Sequence, residues 1–131
     1  MSMCWVTIRV SDMSASLAFY RDLMGMTVTR RLDPAPGTEI VFLGGSGATE
    51  IELILTPDEA PRYGDDISLG FEVGSLPDMI GRLRGGGITD FAGPFQPVPT
   101  LRFIYVRDPD GVKIQLVEPI DAQPCAGSED D

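Results

Sequence analysis

The chain has 131 residues, of which 43% are hydrophobic and 23% charged, a composition typical of one soluble globular domain or of two small modules sharing a core. Ten Lys and Arg stand against 20 Asp and Glu, and the formal charge of −10 argues against a nucleic-acid-binding face. This acidity either favours a cationic small molecule by long-range attraction or only maintains solubility. The chain contains no histidine, which excludes a histidine-ligated zinc or iron site and any catalytic arrangement that needs imidazole.

The N-terminal residues and the two cysteines bear on the compartment. Cys4 and Cys125 are too few for a disulfide framework, and residues 1–5 run into a strand pattern without the features of a signal peptide. No apolar run approaches the roughly 18 residues of a membrane-spanning helix. We therefore expect a reduced, cytoplasmic protein with free thiols, in which Cys4 is a small core residue.

The first half of the chain predicts one strand, one helix and three further strands. Residues 5–10 alternate between apolar and polar side chains, which indicates a strand. Ser11 or Asp12 is suited to begin a helix that ends near residue 24, where Gly25 is suited to terminate it. The remaining predicted strands cover residues 26–32, 39–43 and 49–55, separated by turns at 33–37 and 44–47.

The same order of elements follows a polar linker at residues 58–66. A strand is predicted at residues 67–73, and Ser75 is suited to cap a helix that the glycines at 85–87 end. The sequence Asp-Pro-Asp-Gly at residues 108–111 is typical of a hairpin turn. The last predicted strands lie near residues 88–95, 101–106 and 112–117.

An order of elements that repeats after about 50 to 55 residues indicates duplicated structural units. We predict an α+β fold of two βαβββ modules that form one curved mixed sheet, with the helices outside and a concave cavity inside. The predicted divisions are a first module at 1–57, a linker at 58–66, a second module at 67–120 and an acidic flexible tail at 121–131.

Two segments resemble motifs of the vicinal oxygen chelate superfamily, which includes glyoxalase I, bleomycin resistance proteins and extradiol dioxygenases. Residues 10–25 are similar to the family's helix motif V-x-D…S-x-x-F-Y…L-G. Residues 108–116 are similar to its hairpin motif D-P-D-G-x-x-I-E-L. The resemblance implies the βαβββ fold over about residues 4–118. It does not identify one function, because one fold hosts many chemistries.

The resemblance also implies where a metal would be held. The family's metal enzymes take His, Glu, His and Glu from strands one, four, five and eight, and the matching residues here are Trp5, Glu52, Ser68 and Gln115. Only Glu52 is a strong ligand, since an indole cannot ligate and a hydroxyl and an amide suit zinc or iron poorly. We therefore expect no functional metal and no cofactor, although such oxygen ligands could hold Mg²⁺ weakly.

Strand alternation predicts which side chains face the cavity. Apolar residues such as Val6, Ile8 and Ile67 are expected to pack against the helices, so their polar and aromatic neighbours face inward. So many polar groups would not be buried without partners, and we expect them to meet water or a ligand. The predicted ligand-binding residues are Trp5, Thr7, Arg9, Glu50, Ser68, Phe103 and Gln115, and the predicted catalytic residues are Glu52 and Tyr105.

Each of these residues has a functional and a structural interpretation. Trp5 is either a stacking wall for a planar or cationic ligand or an aromatic of the core or of a dimer interface. Arg9 most simply pairs with Glu50 or Glu52, and otherwise binds an anionic ligand group. Glu52 is either a surface carboxylate or a general acid or base in a cavity, while Tyr105 either packs within its sheet or presents its hydroxyl to a ligand.

Two function classes remain open at this point. The first is a metal-independent binding protein that sequesters a cationic or aromatic natural product, as the resemblance to bleomycin resistance proteins implies. The second is a metal-independent isomerase, lyase or tailoring enzyme that uses Glu52 as general acid or base. In both cases we expect a homodimer with a small-molecule partner, and neither nucleic acid nor membrane as a partner.

Overall fold

The computed structural model describes residues 1–45 and 47–120. The described residues form eight strands, which are β1 (Trp5–Arg9), β2 (Thr27–Ala35), β3 (Thr38–Gly44), β4 (Glu50–Leu55), β5 (Ser68–Glu72), β6 (Ala92–Val98), β7 (Leu101–Arg107) and β8 (Lys113–Pro119). They also form α1 (Met13–Leu17), which continues as a π-helical segment over Ala18–Leu23, and α2 (Leu76–Gly85). The predicted tail and Cys125 lie outside the described residues.

The chain divides into two compact units, each with one four-stranded sheet. The first unit comprises Met1–Tyr63 and Asp108–Gly111, and the second comprises Gly64–Arg107 and the described residues from Val112 onward. The strand orders are β1-β4-β3-β2 and β5-β8-β7-β6, in which the first strand of each sheet is parallel to the last strand of its module. The predicted α+β class and its two βαβββ modules are confirmed.

The hydrogen-bonded ladders differ in one respect from the sequence prediction. We expected one continuous curved sheet, whereas the described strands pair as two separate four-stranded sheets. The reason is that the fourth strand of each module pairs with both the first and the third strand, so each module forms its ladders internally.

The helices begin and end where the sequence signals predict. The side chain of Asp12 accepts a hydrogen bond from the Ala15 N–H at 3.1 Å, and that of Ser75 accepts one from the Asp78 N–H at 3.2 Å. Each bond satisfies a backbone donor that the first helical turn would otherwise leave unpaired. Gly25, which follows the first helical segment, has a φ of +82°, a conformation that favours glycine.

One side of each sheet packs against a helix, and the cores lie there. Helix α1 contacts β4 and α2 contacts β8. The buried apolar residues of these sheet sides include Ile8, Val10, Ile51 and Leu53 in the first unit, and Ile104, Val106, Ile114 and Leu116 in the second. Among the described residues no helix is long and apolar enough to cross a membrane.

Three local predictions are wrong. Cys4 is exposed rather than a core residue, and Ile67 is 75% exposed rather than packed against a helix. Both residues directly precede a strand, so the alternation of that strand does not set their direction. The predicted turn at 33–37 is shorter, because β2 continues to Ala35 and the chain turns at Pro36 and Gly37.

A buried hydrogen bond attaches the turn at residues 108–111 to the first unit. The fully buried Tyr20 donates its hydroxyl to Asp108, which is 4% exposed, at 2.6 Å. Asp108 also accepts the Asp110 N–H at 2.9 Å, and Asp110 in turn accepts the Ser11 hydroxyl at 2.5 Å. Burial and, after it, the Asp108 carboxylate raise the pKa of Tyr20 above its usual range.

Replacing Tyr20 with Phe should lower the free energy of unfolding by about 1–3 kcal/mol, because it removes the side-chain donor that Tyr20 provides to the buried Asp108 carboxylate. Urea denaturation measures this loss. The matched control is Tyr63→Phe, since the Tyr63 hydroxyl donates to the Arg9 carbonyl at an exposed position and its removal should change stability by only about 0.5 kcal/mol. An equal loss in both variants would contradict the prediction.

The same contact predicts the behaviour in alkali. A raised pKa in the folded state means that the stability due to Tyr20 is complete below the unfolded pKa of about 10 and is lost as the pH rises above it. The difference in unfolding free energy between the wild type and Tyr20→Phe should therefore shrink above about pH 10. Urea titrations between neutral pH and the alkaline range test this, and a difference that grows with pH would contradict it.

Candidate functional site

On the first unit's sheet, the side opposite the helix carries four of the residues that we predicted from alternation. The parallel register of β1 and β4 places Trp5 beside Glu50 and Thr7 beside Glu52. The Thr7 hydroxyl donates to a Glu52 carboxylate oxygen at 2.5 Å. Thr7 is exposed and Glu52 is half-buried, so this carboxylate lies at the surface of the sheet and not in its core. We call this side the first-unit face.

An aromatic pair lies on the first-unit face. Phe42 of β3 is opposite Glu52 in the ladder and is 3% exposed. Its ring meets that of Trp5 edge to face, with ring centroids 5.3 Å apart, while Trp5 itself is 44% exposed. Sequence reasoning missed Phe42, because residues 40–43 are apolar throughout and their pattern does not show which of them shares a side with Trp5.

A bulge in β2 brings two further side chains to this face. Val28 pairs with Leu43 but Arg30 pairs with Phe42, so β2 holds one extra residue at this point. Thr29 donates to Glu50 at 2.5 Å and Arg30 pairs with the same carboxylate at 3.2 Å. Thr29 and Arg30 thus both contact the Glu50 carboxylate. In a regular strand two consecutive side chains point to opposite sides, so alternation could not have predicted this.

Arg9 does not pair with Glu50 or Glu52, so our simplest interpretation of it is wrong. Its guanidinium pairs with Glu59 at 2.9 Å and donates to the Thr56 hydroxyl at 2.8 Å. Arg9 ends β1 opposite Ile54, and the segment that follows β4 supplies both partners. Arg9 therefore joins a strand end to a loop.

The second unit carries an aromatic cluster on the corresponding side of its sheet. The rings of Phe103 and Tyr105 on β7 lie 5.4 Å apart, and that of Phe95 on β6 lies 5.6 Å from Phe103 and 6.3 Å from Tyr105. Together with Gln96 and Pro97 these rings line an open pocket of about 450 Å³, which we call the aromatic groove. A register shift in β6 between Ala92 and Phe95 places Phe95 opposite Phe103, which the sequence did not reveal.

Polar side chains border the aromatic groove. Gln115 on β8 is opposite Tyr105 and, on its other side, Gly70. The Lys113 ammonium lies 4.5 Å above the centre of the Tyr105 ring, a distance typical of a cation–π contact. Ser68 is opposite Lys113 and is exposed. All four predicted residues of the second module therefore share one side of its sheet: Ser68, Phe103, Tyr105 and Gln115.

The ladders show which residues of the two units correspond. In both sheets the first strand pairs with the fourth and the fourth with the third, so Phe42 corresponds to Tyr105 and Glu52 to Gln115. By the same registers Glu50 corresponds to Lys113. Both units thus carry an aromatic ring at the position of Phe42 and Tyr105. At the position of Glu50 in the first unit, the second unit has the ammonium of Lys113.

The profile of the Glyoxalase/Bleomycin resistance protein/Dioxygenase superfamily matches residues 2–116 of the chain. The chain belongs to this superfamily. The match agrees with the vicinal oxygen chelate resemblance that the helix and hairpin motifs carried. It spans nearly all of the described residues and so covers both units.

Relatives of known name within the superfamily include lactoylglutathione lyases. That of Salmonella typhimurium is 33% identical over 126 residues, which cover 88% of this chain and 90% of the relative. That of Haemophilus influenzae is 33% identical over 120 residues, which cover 85% and 87%.

Solved structures share the fold. The trypanothione-dependent glyoxalase I of Leishmania major has a TM-score of 0.74 at 26% identity, covering 90% of this chain and 86% of its own. An antibiotic binding protein from Streptomyces sp. CB03234 has a TM-score of 0.69 at 22% identity, covering 91% and 96%. This second likeness shows the fold alone.

The residues at the family's metal positions do not fit zinc or iron. Trp5 offers only an indole N–H, Ser68 a hydroxyl and Gln115 an amide. Glu52 is the one carboxylate among them, and Thr7 already donates a hydrogen bond to it. Within residues 1–45 and 47–120, no three or more His, Cys, Asp and Glu residues are grouped so that they could hold a metal ion.

Proposed function

We propose that this superfamily member is a metal-independent binding protein that sequesters an aromatic natural product, as an antibiotic-resistance protein does. The observation that carries the proposal is the aromatic groove of the second unit. Its rings come from two strands and line one open pocket. Such rings stack on a planar molecule and also attract a cation, so the groove suits an aromatic ligand with or without positive charge.

The size and chemistry of the groove support a small-molecule ligand. Its volume of about 450 Å³ lies within the range of about 300–1,000 Å³ that is common for ligand pockets. The Tyr105 hydroxyl makes no hydrogen bond within the described residues, and Gln115 lies next to it in the ladder. An apolar pocket edged by two polar groups can bind a planar molecule and also orient it.

The surroundings of Glu52 support binding of a positively charged ligand group at the first-unit face. Its described hydrogen-bond donor is the Thr7 hydroxyl, and no Lys or Arg of the described residues forms an ion pair with it. It shares the first-unit face with Glu50, and the chain has a formal charge of −10, so the face would attract a positively charged ligand group. The alternative is a metal-independent enzyme with Glu52 as general acid or base, which the 33% identity to lactoylglutathione lyases favours.

The test begins with a thermal-shift screen of aromatic natural products, neutral and cationic, because a ligand that binds the folded state raises the melting temperature. Phe103→Ala should then weaken binding of a ligand found in the screen by about 1–3 kcal/mol, since the Phe103 ring makes the two shorter of the three ring contacts, at 5.6 and 5.4 Å. Calorimetric titration measures the change. Phe91→Ala is the control, because Phe91 does not line the groove. Equal losses in both variants would contradict the proposed groove.

Glu52→Gln separates the binding protein from the enzyme, because the variant removes the charge and the proton transfer but keeps the shape. For a binding protein we expect a lower affinity for a cationic ligand on the first-unit face, an unchanged affinity for a neutral ligand in the aromatic groove, and no turnover of lactoylglutathione by the wild type or by Glu52→Gln. Turnover by the wild type that Glu52→Gln abolishes would establish the enzyme instead. Glu39→Gln, an exposed carboxylate near Arg31, controls for the loss of one negative charge.

Metal independence has a separate test. Extensive dialysis against a chelator should change neither the melting temperature nor ligand binding, because only Glu52 of the family's four metal positions carries a strong ligand. Differential scanning fluorimetry measures the melting temperature, calorimetric titration measures ligand binding, and elemental analysis measures the metal content of the purified protein. Stoichiometric zinc, iron, manganese or nickel in the purified protein would refute metal independence.

The cytoplasmic location and the homodimer stay predictions. Light scattering at micromolar concentration tests the homodimer, and a monomeric mass would refute it. Localisation of a tagged chain in its host cell tests the location.

A further inference from the structure

We propose that Phe42, Trp5 and Glu50 form a guanidinium-binding site, which the chain's own Arg30 occupies and which a ligand takes by displacing Arg30. This inference rests on the proposed small-molecule binding and names a further ligand class, guanidinium compounds, for the first unit. It concerns the first-unit face, whereas the aromatic groove belongs to the second unit. The two can therefore succeed or fail separately.

The contacts of Arg30 are those of a bound guanidinium ligand. Its guanidinium carbon lies 3.9 Å from the centre of the Phe42 ring and 5.5 Å from that of Trp5. One of its terminal nitrogens is 3.2 Å from a Glu50 carboxylate oxygen. A planar cation that stacks on one ring, approaches a second and pairs with a carboxylate combines the interactions that proteins use for such ligands.

Two of the three walls of this site, Phe42 and Glu50, are held more firmly than their occupant, whereas the third, Trp5, is 44% exposed. Phe42 is 3% exposed, and the Glu50 side chain is 21% exposed and held by the Thr29 hydroxyl at 2.5 Å. The Arg30 side chain, by contrast, is 48% exposed. An exposed arginine that leaves the site regains its rotamer freedom and its hydration, so its displacement costs less than a rearrangement of the walls would.

The bulge in β2 is the reason that Arg30 lies over Phe42. A regular ladder continuing from the Val28–Leu43 pair would place Arg30 opposite Val41, which is fully buried on the helix side. The extra residue moves Arg30 by one position to the first-unit face. Bulges of this kind commonly redirect side chains beside functional sites.

The second unit repeats the arrangement with a different cation. Tyr105, which corresponds to Phe42, has the Lys113 ammonium 4.5 Å above its ring centre. Lys113 comes from β8, whereas Arg30 comes from β2, so the two cations reach equivalent rings from strands that do not correspond. Both rings therefore present a face to a positive charge, whichever strand supplies it.

Displacement makes a specific prediction about affinity. A ligand guanidinium can bind only those molecules in which Arg30 has left the site. Its apparent Kd is therefore the intrinsic Kd divided by the fraction of molecules with an open site. Removal of Arg30 should therefore tighten the binding of a guanidinium compound. If Arg30 instead contacted the ligand, its removal would weaken binding.

The experiment titrates methylguanidinium against the wild type, Arg30→Ala and Arg31→Ala at constant ionic strength. Trp5 is the chain's single tryptophan, so intrinsic fluorescence reports from the site itself. Arg31 is the matched control, since its loss changes the net charge equally while its partner is Glu39 at 3.9 Å. Methylurea is the neutral compound of similar shape. Arg30→Gln provides a second variant if Arg30→Ala does not fold.

We expect the Kd of methylguanidinium to fall by about tenfold in Arg30→Ala or Arg30→Gln and to be unchanged in Arg31→Ala. Glu50→Gln in the Arg30→Ala background should reverse the gain, and methylurea should not bind. Equal changes in the Arg30 and Arg31 variants, or weaker binding without Arg30, would overturn the inference. Phe103→Ala should leave methylguanidinium binding unchanged, which separates this result from that of the aromatic groove.

Discussion

The parallel pairing of the first strand with the fourth determines what each unit presents on its open side. In the first unit this ladder sets Trp5 beside Glu50 and Thr7 beside Glu52, and in the second it sets Gly70 beside Gln115. A shift by one residue would turn every one of these side chains toward the helix. The register is secured by the buried apolar residues that alternate with them, so the core fixes the surface chemistry.

The two motifs that revealed the superfamily meet in one buried contact. Tyr20 belongs to the helix motif and Asp108 to the hairpin motif, and the hydroxyl of the one donates to the carboxylate of the other. Neither residue borders the aromatic groove or the Arg30 site. The motifs therefore identify the fold through a structural hydrogen bond, which explains why they say little about the ligand.

The sequence predicted those parts of the molecule that depend on local periodicity. The helix caps at Asp12 and Ser75 follow from local sequence signals, and these signals predicted where the helix of each module begins. The alternation of β1 and β4 predicted which side chains lie on the polar side of the first sheet. Side-chain partners could not be predicted in the same way. Arg9 pairs with a residue from a loop, because the ends of long flexible side chains reach beyond their own ladder.

Register shifts limited the prediction of the site most. Phe95 and Arg30 both owe their position to an extra residue in the outer strand of their sheet, and nothing in the sequence pattern marks such a residue. Phe42 was hidden for a related reason, since its strand is apolar on both sides. Several residues of the two candidate sites are thus ones that periodicity does not reveal.

The bulged outer strands bear on how this fold acquires new ligands. β2 and β6 each pair along one edge only among the described strands, so either can gain or lose a residue without disturbing the inner ladders. A change of chain length there exchanges the side chain above the ring on the neighbouring strand, while the buried core stays as it is. An insertion or deletion of one residue in an outer strand can therefore change what the open side of a unit presents without any substitution in the core.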